Sequence, residues 1–279
     1  MRLKTEKSNK PAKKKLPTWS KFLIVVTSLV AVLGVLWAVL TDVIVLRRTE
    51  DMIGAESSIS ILYVGNSQVF VGKLPRQLQT IARMHDVAIT YKDISVHGNR
   101  GGSLSELKES AIGEIQSGRF DYVILYDHAR QPHNNIDEFL SDIQLLCEVA
   151  RENGVIPVLY NAAWATSNGQ PDERRQSVST EAYKRAADEN DVILVNAGDA
   201  WAYAYKTIPD ISLYTRFDPR GPHASSAGGF MTACVFAATL FDLRIDEIPR
   251  DSLYKGNDAI DLAQAAWEFV TIDKQLGVC

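Results

Sequence analysis

Ile59-Ser-Ile-Leu-Tyr-Val-Gly-Asn-Ser-Gln-Val-Phe70 is the stretch whose reading decides the fold. A short run rich in β-branched and aromatic residues, cut off by Gly-Asn-Ser, has the character of a buried parallel strand that ends abruptly and passes a serine to the next loop and helix. Ser67 then stands at the carboxyl end of a strand. In open α/β sheets that edge is where ligands bind, because loops converge there on a crevice while the sheet below stays rigid. Two readings of Ser67 stay open at this point: a working serine at the sheet edge, or a plain helix N-cap, for which Ser is among the favoured residues.

The pattern continues outward from this strand. Leu74 to His85 reads as a helix with Leu74, Leu78 and Ile81 at helical spacing, and Val87 to Val96 as a second strand. Leu104 to Gln116 is a helix closed by Gly118, and Tyr122 to Tyr126 a third strand. Ile136 to Asn153 is a helix closed by Gly154, Ile156 to Tyr160 a fourth strand, Ser179 to Asn190 a helix and Val192 to Val195 a fifth strand. Ala227 to Phe241 is the last long apolar helix, and Ala259 to Val270 a helix in the C-terminal tail. Strands alternating with helices of this length predict an α/β fold, a three-layer α/β/α sandwich around a mainly parallel five-stranded sheet.

The 279 residues are 46% hydrophobic and 23% charged, enough for one substantial core. Charge is unevenly spread. Residues 1–41 carry eight Lys/Arg and one Glu, a net +7, so the whole-chain value of −4 leaves −11 for residues 42–279. An acidic domain lacks the basic surface that nucleic-acid binding needs, so no nucleic-acid partner is expected. Cys147, Cys234 and Cys279 lie far apart, which disfavours a disulfide framework and leaves one isolated bridge open.

Residues 1–21, with Lys13-Lys14-Lys15 and little apolar content, read as a solvated basic tail. Phe22 to Leu40 is uncharged throughout and long enough to cross most of a hydrocarbon core of about 30 Å. The expectation is a transmembrane helix over 22–41. By the positive-inside rule the N-terminus is cytoplasmic and the remainder extracytoplasmic. A cleaved signal peptide is the rival, but the apolar stretch exceeds a usual h-region and no small-x-small site follows it. Residues 42–58 then form a tether, 59–247 the main domain and 248–279 a C-terminal helical extension.

Four segments fall at strand ends. They are Gly65-Asn66-Ser67, His97-Gly98-Asn99-Arg100-Gly101-Gly102-Ser103, Asp127-His128-Ala129-Arg130-Gln131-Pro132, and Asp218 to Ser225 with His223 just before the last long helix. In this order they resemble the SGNH, or GDSL-like, hydrolase superfamily over residues 59–243. Further stretches, among them Phe120 to Leu125, Val158-Leu159-Tyr160 with Trp164, and Val195 to Trp201, are similar to a poorly characterised bacterial subgroup of it. The resemblance implies a flavodoxin-like sheet and a serine esterase needing no cofactor. Ser67 is the implied nucleophile and His223 the base, with Asp218 as its acidic partner. Oxyanion donors are implied at the Ser67 amide, at a glycine amide of Gly101 or Gly102, and at Gln131, with Arg130 or His128 as rivals for the last place. For Gly101-Gly102 a plain tight turn is an equal reading of the residues.

Two departures from the family pattern touch this set. The family's Asp stands three residues before its His, where this chain has Arg220; Asp218 lies five before. A Gly-x-Asn pattern is expected after strand three and is replaced by Asp127, His128, Arg130 and Gln131. His97, His128 and His133 raise a metal reading, but they lie on two loops without a close pair at ligand spacing, so no metal is expected. No Gly-x-Gly-x-x-Gly or phosphate loop follows strand one, which disfavours a nucleotide-binding domain. The expected partners are an ester-bearing small molecule or acylated carbohydrate and, through residues 22–41, a membrane. An acyltransferase and a catalytically silent domain that binds glycan or protein remain alternatives.

Overall fold

A computed structural model describes residues 58–95, 102–127, 130–164, 170–215 and 223–275. Five strands are present among them: β1 (Ser58–Val64), β2 (Ala88–Asp93), β3 (Tyr122–Leu125), β4 (Ile156–Tyr160) and β5 (Ile193–Val195). They form one sheet in the order β2-β1-β3-β4-β5, and every pairing is parallel. Ile61 to Val64 are wholly buried, which is why β1 reads as a continuous apolar run rather than an alternating one.

The chain leaves β1 for β2 on one side and then crosses back to β3 on the other. Val64 pairs with Leu125 where the direction of winding reverses. At such a switch point the flanking loops turn away in opposite directions and open a crevice at the carboxyl ends of the strands.

Nine helices occur among the described residues: α1 (Ser67–Phe70), α2 (Leu74–Arg83), α3 (Leu104–Ile115), α4 (Gln131–Asn134), α5 (Ile136–Glu152), α6 (Glu173–Asn190), α7 (Ala197–Thr207), α8 (Ser226–Phe241) and α9 (Ala259–Gln275). The longer ones pack in two sets. Helix α3 lies on α5 and α5 on α6, while α2 lies on α8, α8 on α9 and α9 on α7. Right-handed crossovers put the first set on one face of the sheet and the second on the other. Helix α8, almost entirely buried, is the centre of its layer.

The elements differ from the sequence expectation mainly at their ends. Strand β2 stops at Asp93 rather than running on, because the Asp93 carboxylate accepts the Ser95 amide at 2.8 Å and turns the chain. Helix α6 begins at Glu173, six residues early, with Asp172 as its N-cap; that first turn is polar and carries no apolar period. Helix α9 runs on to Gln275 and packs on both α8 and α7. Helices α1, α4 and α7 were not anticipated, although Ala197, Ala200, Trp201 and Ala204 of α7 have the spacing of a buried helical stripe.

Cys147 and Cys234 are both free and buried, so no bridge joins them. No helix among the described residues is long and apolar enough to cross a membrane. The expected span over 22–41, the basic tail before it and most of the tether lie outside the described residues.

Candidate active site

Strand β1 ends against β3 with no room for a side chain at Gly65, where a Cβ would stand 3.0 Å from the Tyr126 carbonyl oxygen. Asn66, in extended conformation (φ −141°, ψ −159°), is the N-cap of α1, and its side-chain oxygen accepts the Gln68 amide at 3.2 Å. The Asn66 side chain also bonds the Tyr126 phenol. Ser67 is therefore the first helical residue rather than the cap, and its hydroxyl is left for another partner. That partner is His223: Ser67 Oγ and His223 Nε2 are 2.8 Å apart, although the residues are 156 positions apart in sequence.

A short two-stranded clasp holds His223. The Thr215 amide donates to the His223 carbonyl at 2.8 Å, and the His223 amide donates to Thr215 Oγ1 at 3.1 Å. Tyr214 and Ala224 form an antiparallel bridge, and the Ser225 amide donates to the Leu213 carbonyl at 2.8 Å. Ser225 then caps α8 by accepting the Gly228 amide at 3.1 Å. His223 is thus held through its main chain, two residues before the N-cap of a buried helix.

Serine and imidazole are brought face to face by one close contact between layers. Gly72, just past α1, meets Gly229 in the first turn of α8. A Cβ on Gly72 would come within 2.8 Å of the Ala224 Cβ and 2.9 Å of the Gly229 Cα. Across this seam Gln77 of α2, only 2% exposed, donates its Nε2 to the Gly72 carbonyl at 2.9 Å and to the Ser226 carbonyl at 3.1 Å. Gln77 is a positioning residue, tying the segment that carries Ser67 to the helix that follows His223. Gln77→Ala leaves the buried Gly72 carbonyl and the part-buried Ser226 carbonyl without this donor and is expected to cost about 1–3 kcal/mol of stability, to be measured by denaturant unfolding.

The remaining expected site residues are placed differently. The Gly102 amide, at positive φ (65°), donates to Glu106 Oε2 at 3.0 Å. Ser103 Oγ accepts the Glu106 amide at 3.3 Å, so both bonds serve the capped start of α3. Gln131 Nε2 donates to Glu138 Oε2 at 2.5 Å, an oxygen that also accepts from Asn135 Nδ2. In this structure both proposed donors are thus engaged with a nearby glutamate. Gly101, Asp218 and the rival donor His128 lie outside the described residues, and Arg130 precedes α4 at its N-cap position.

Asp127 is a polar residue whose place sequence reasoning did not resolve. It is fully buried at the end of β3, where Oδ1 accepts the Leu104 amide at 3.0 Å while its own amide donates to Tyr183 Oη at 3.0 Å. An acid directly after a buried strand was the available signal. Here it fastens the start of α3 beside the sheet edge by accepting an amide from the helix's first turn, which has no acceptor within the helix. No cysteine competes with Ser67 among the described residues: burial pushes the Cys147 thiol up to about 12, and Cys234 is raised for the same reason. His97 lies outside the described residues, and His133 packs its ring edge-on against Trp164 at 5.1 Å. No group of three or more His, Cys, Asp and Glu suited to hold a metal occurs among the described residues.

Comparison with known proteins finds similarity in structure and none in sequence families. No family model and no curated protein matches the chain. A DUF4886 family protein from Bacteroides uniformis superposes with a TM-score of 0.62 at 15% identity, covering 77% of this chain and 95% of that one. A putative SGNH hydrolase from Slackia heliotrinireducens gives 0.50 at 19% identity, over 66% of this chain and 99% of that one. An acetyl xylan esterase gives 0.51 at 15% identity, over 66% of this chain and 100% of that one. At these identities the likeness is one of architecture: the chain has an α/β fold with a parallel five-stranded sheet like that of SGNH hydrolases.

Proposed function

We propose that the chain is a membrane-anchored, extracytoplasmic serine esterase of SGNH type that acts on a short acyl ester. The observation that carries this reading is the 2.8 Å approach of Ser67 Oγ to His223 Nε2 at the switch point of the sheet. A serine hydroxyl is a weak nucleophile until a base takes its proton as it attacks. His223 accepts that proton, the Ser67 oxygen bonds to the ester carbonyl carbon, and the imidazolium then protonates the departing alcohol. Water repeats the sequence on the acyl-enzyme, releasing the acid and restoring Ser67; a sugar hydroxyl in place of that water makes the same site an acyltransferase.

Negative charge on the carbonyl oxygen calls for donors fixed in advance. The Ser67 amide suits this, because the first amides of a helix have no acceptor within it. Gly101 is the candidate second donor. Asp218 is the candidate acid for orienting the imidazole. The acetyl xylan esterase among the structural neighbours supports O-acetyl groups on carbohydrate as substrate. The uncharged run from Phe22 to Leu40 supports the anchor, which would hold the site beside envelope polymers.

The test uses the full chain in mild detergent, a fluorophosphonate probe and a series of p-nitrophenyl esters. Covalent labelling and turnover that falls with acyl length support the esterase. A folded chain with neither favours the silent binding domain, a reading prompted by the engagement of Gly102 and Gln131 and by Arg220 in place of the expected acid. For the anchor, the expected result is a chain that sediments with membranes after an alkaline carbonate wash and is released by detergent. Release by carbonate alone removes the anchor from the proposal.

A further inference from the structure

A second cavity lies further along the carboxyl edge of the sheet, between α6, α7 and α9. Its volume is about 580 Å³, and neither Ser67 nor His223 lines it. This size is within the range of small-molecule sites. The incompletely buried rings of Trp164, Tyr203 and Phe269 contribute to its wall. Tyr203 and Phe269 pack together at 6.2 Å between ring centroids, and the Tyr203 hydroxyl is fixed by a 3.0 Å bond to Glu268.

The polar part of the lining is held rigidly. Asp199 accepts from Thr180 Oγ1 at 2.7 Å on one carboxylate oxygen and from Asn196 Nδ2 at 2.9 Å on the other. Asn196 is in turn bonded through its side-chain oxygen to Asn161 Nδ2 at 2.8 Å, and Asn161 Nδ2 also reaches Thr180. These bonds, buried at Asn161 and part-buried at Asp199, join the ends of β4 and β5 to α6 and α7 and fix the Asp199 carboxylate. Each of its oxygens still has a lone pair for a ligand. Exposed Glu181 and the part-exposed Lys184 stand on the α6 side, with Lys206 on α7.

The chemistry of the lining narrows the ligand. Three carboxylates (Glu173, Glu181, Asp199) and two ammonium groups (Lys184, Lys206) line the cavity, so it presents no single-signed field that would select a strongly anionic or cationic molecule. An acyl chain laid against Asp199 would cover the remaining acceptor positions of its carboxylate without supplying a donor, which is unfavourable. A molecule with a flat C–H face for the aromatic wall and hydroxyls that both donate and accept satisfies both parts.

We propose that this cavity is a binding site for a neutral sugar ring, separate from the Ser67–His223 pair. Because the site does not involve that pair, it stands whether or not the chain is an esterase. The test is saturation-transfer NMR on the full-length Ser67→Ala chain with xylobiose, cellobiose and N,N′-diacetylchitobiose, alongside glucuronate and glucosamine. At least one neutral disaccharide is expected to bind. Tyr203→Ala should weaken it tenfold or more, Tyr203→Phe should retain it, and Glu181→Ala, on the exposed rim, should weaken it severalfold. Failure of all three neutral sugars to bind, preference for a charged sugar, or binding unchanged in both Tyr203→Ala and Glu181→Ala overturns the assignment. Should Tyr203→Ala not fold, Glu181→Ala alone is read: weakened binding of the neutral disaccharide supports the assignment, and unchanged binding overturns it.

Discussion

Ser67→Ala is expected to abolish fluorophosphonate labelling and to lower ester turnover by at least about a thousandfold, while the unfolding midpoint stays close to that of the parent. The two readouts separate because of where the side chain stands. Asn66, not Ser67, caps α1, so removing the hydroxyl takes no helix cap away. What is lost is the half-buried bond to His223 Nε2 and, with it, the hydroxyl proposed as the nucleophile. His223→Ala should lower turnover by a comparable factor without unfolding the domain, since the clasp to Thr215 runs through the main chain of residue 223. Full activity in either variant removes Ser67 and His223 from the reaction. Asp218→Asn resolves the third position: a marked fall in rate assigns it as the orienting acid, and an unchanged rate shows that the imidazole is oriented by another group.

Gly229→Ala should be strongly damaging to both stability and activity. The added methyl falls on the Gly72 carbonyl and within 2.8 Å of Gln77 Nε2, so it strikes backbone on one side and the positioning amide on the other. Backbone cannot swing aside as a flexible side chain can, so α8 must shift away from α2 and carry His223 off Ser67. Overpacking of this kind costs roughly 1–3 kcal/mol or more, and a misplacement of about 1 Å at reacting groups costs about a hundredfold in rate. The control is Gly113→Ala in α3, where a Cβ meets nothing within 4 Å. It is expected to stabilise the domain by roughly 0.5–1 kcal/mol through helix propensity, with activity unchanged. Denaturant unfolding and ester turnover on both variants check the pair. Equal effects at the two glycines would show that the seam between Gly72 and Gly229 does not hold the site.

Much of this architecture is legible in the sequence because burial leaves a direct mark. Ile61 to Val64, Val123 to Leu125 and Val158-Leu159 are apolar runs because both faces of their strands are covered. Gly118 and Gly154 end helices at positive φ, 65° and 70°, where glycine is under least strain. Ser67 and His223 were legible as candidates from their places at the end of the first strand and before the last long apolar helix. The bonds of Gly102 and Gln131 were not, because residue type does not say which acceptor an amide meets. Glu106 and Glu138 sit one turn into their helices and accept the amides of Gly102 and Gln131. Gln77 gave a signal that went unread: a polar side chain on the same helical face as Leu74, Leu78 and Ile81 is buried with them and must find partners there. The first turn of α6 and the short α1 and α4 carry too few apolar residues for periodicity to reveal them.

The seam at Gln77 joins pieces of chain synthesised far apart, since its two acceptors belong to Gly72 and Ser226. A nascent polypeptide that ends before residue 223 lacks both the far side of that seam and the imidazole. The hydroxyl of residue 67 emerges early and has no ring to meet through most of translation. The pairing of the two is therefore completed late in biogenesis, when the two ends of the domain have met.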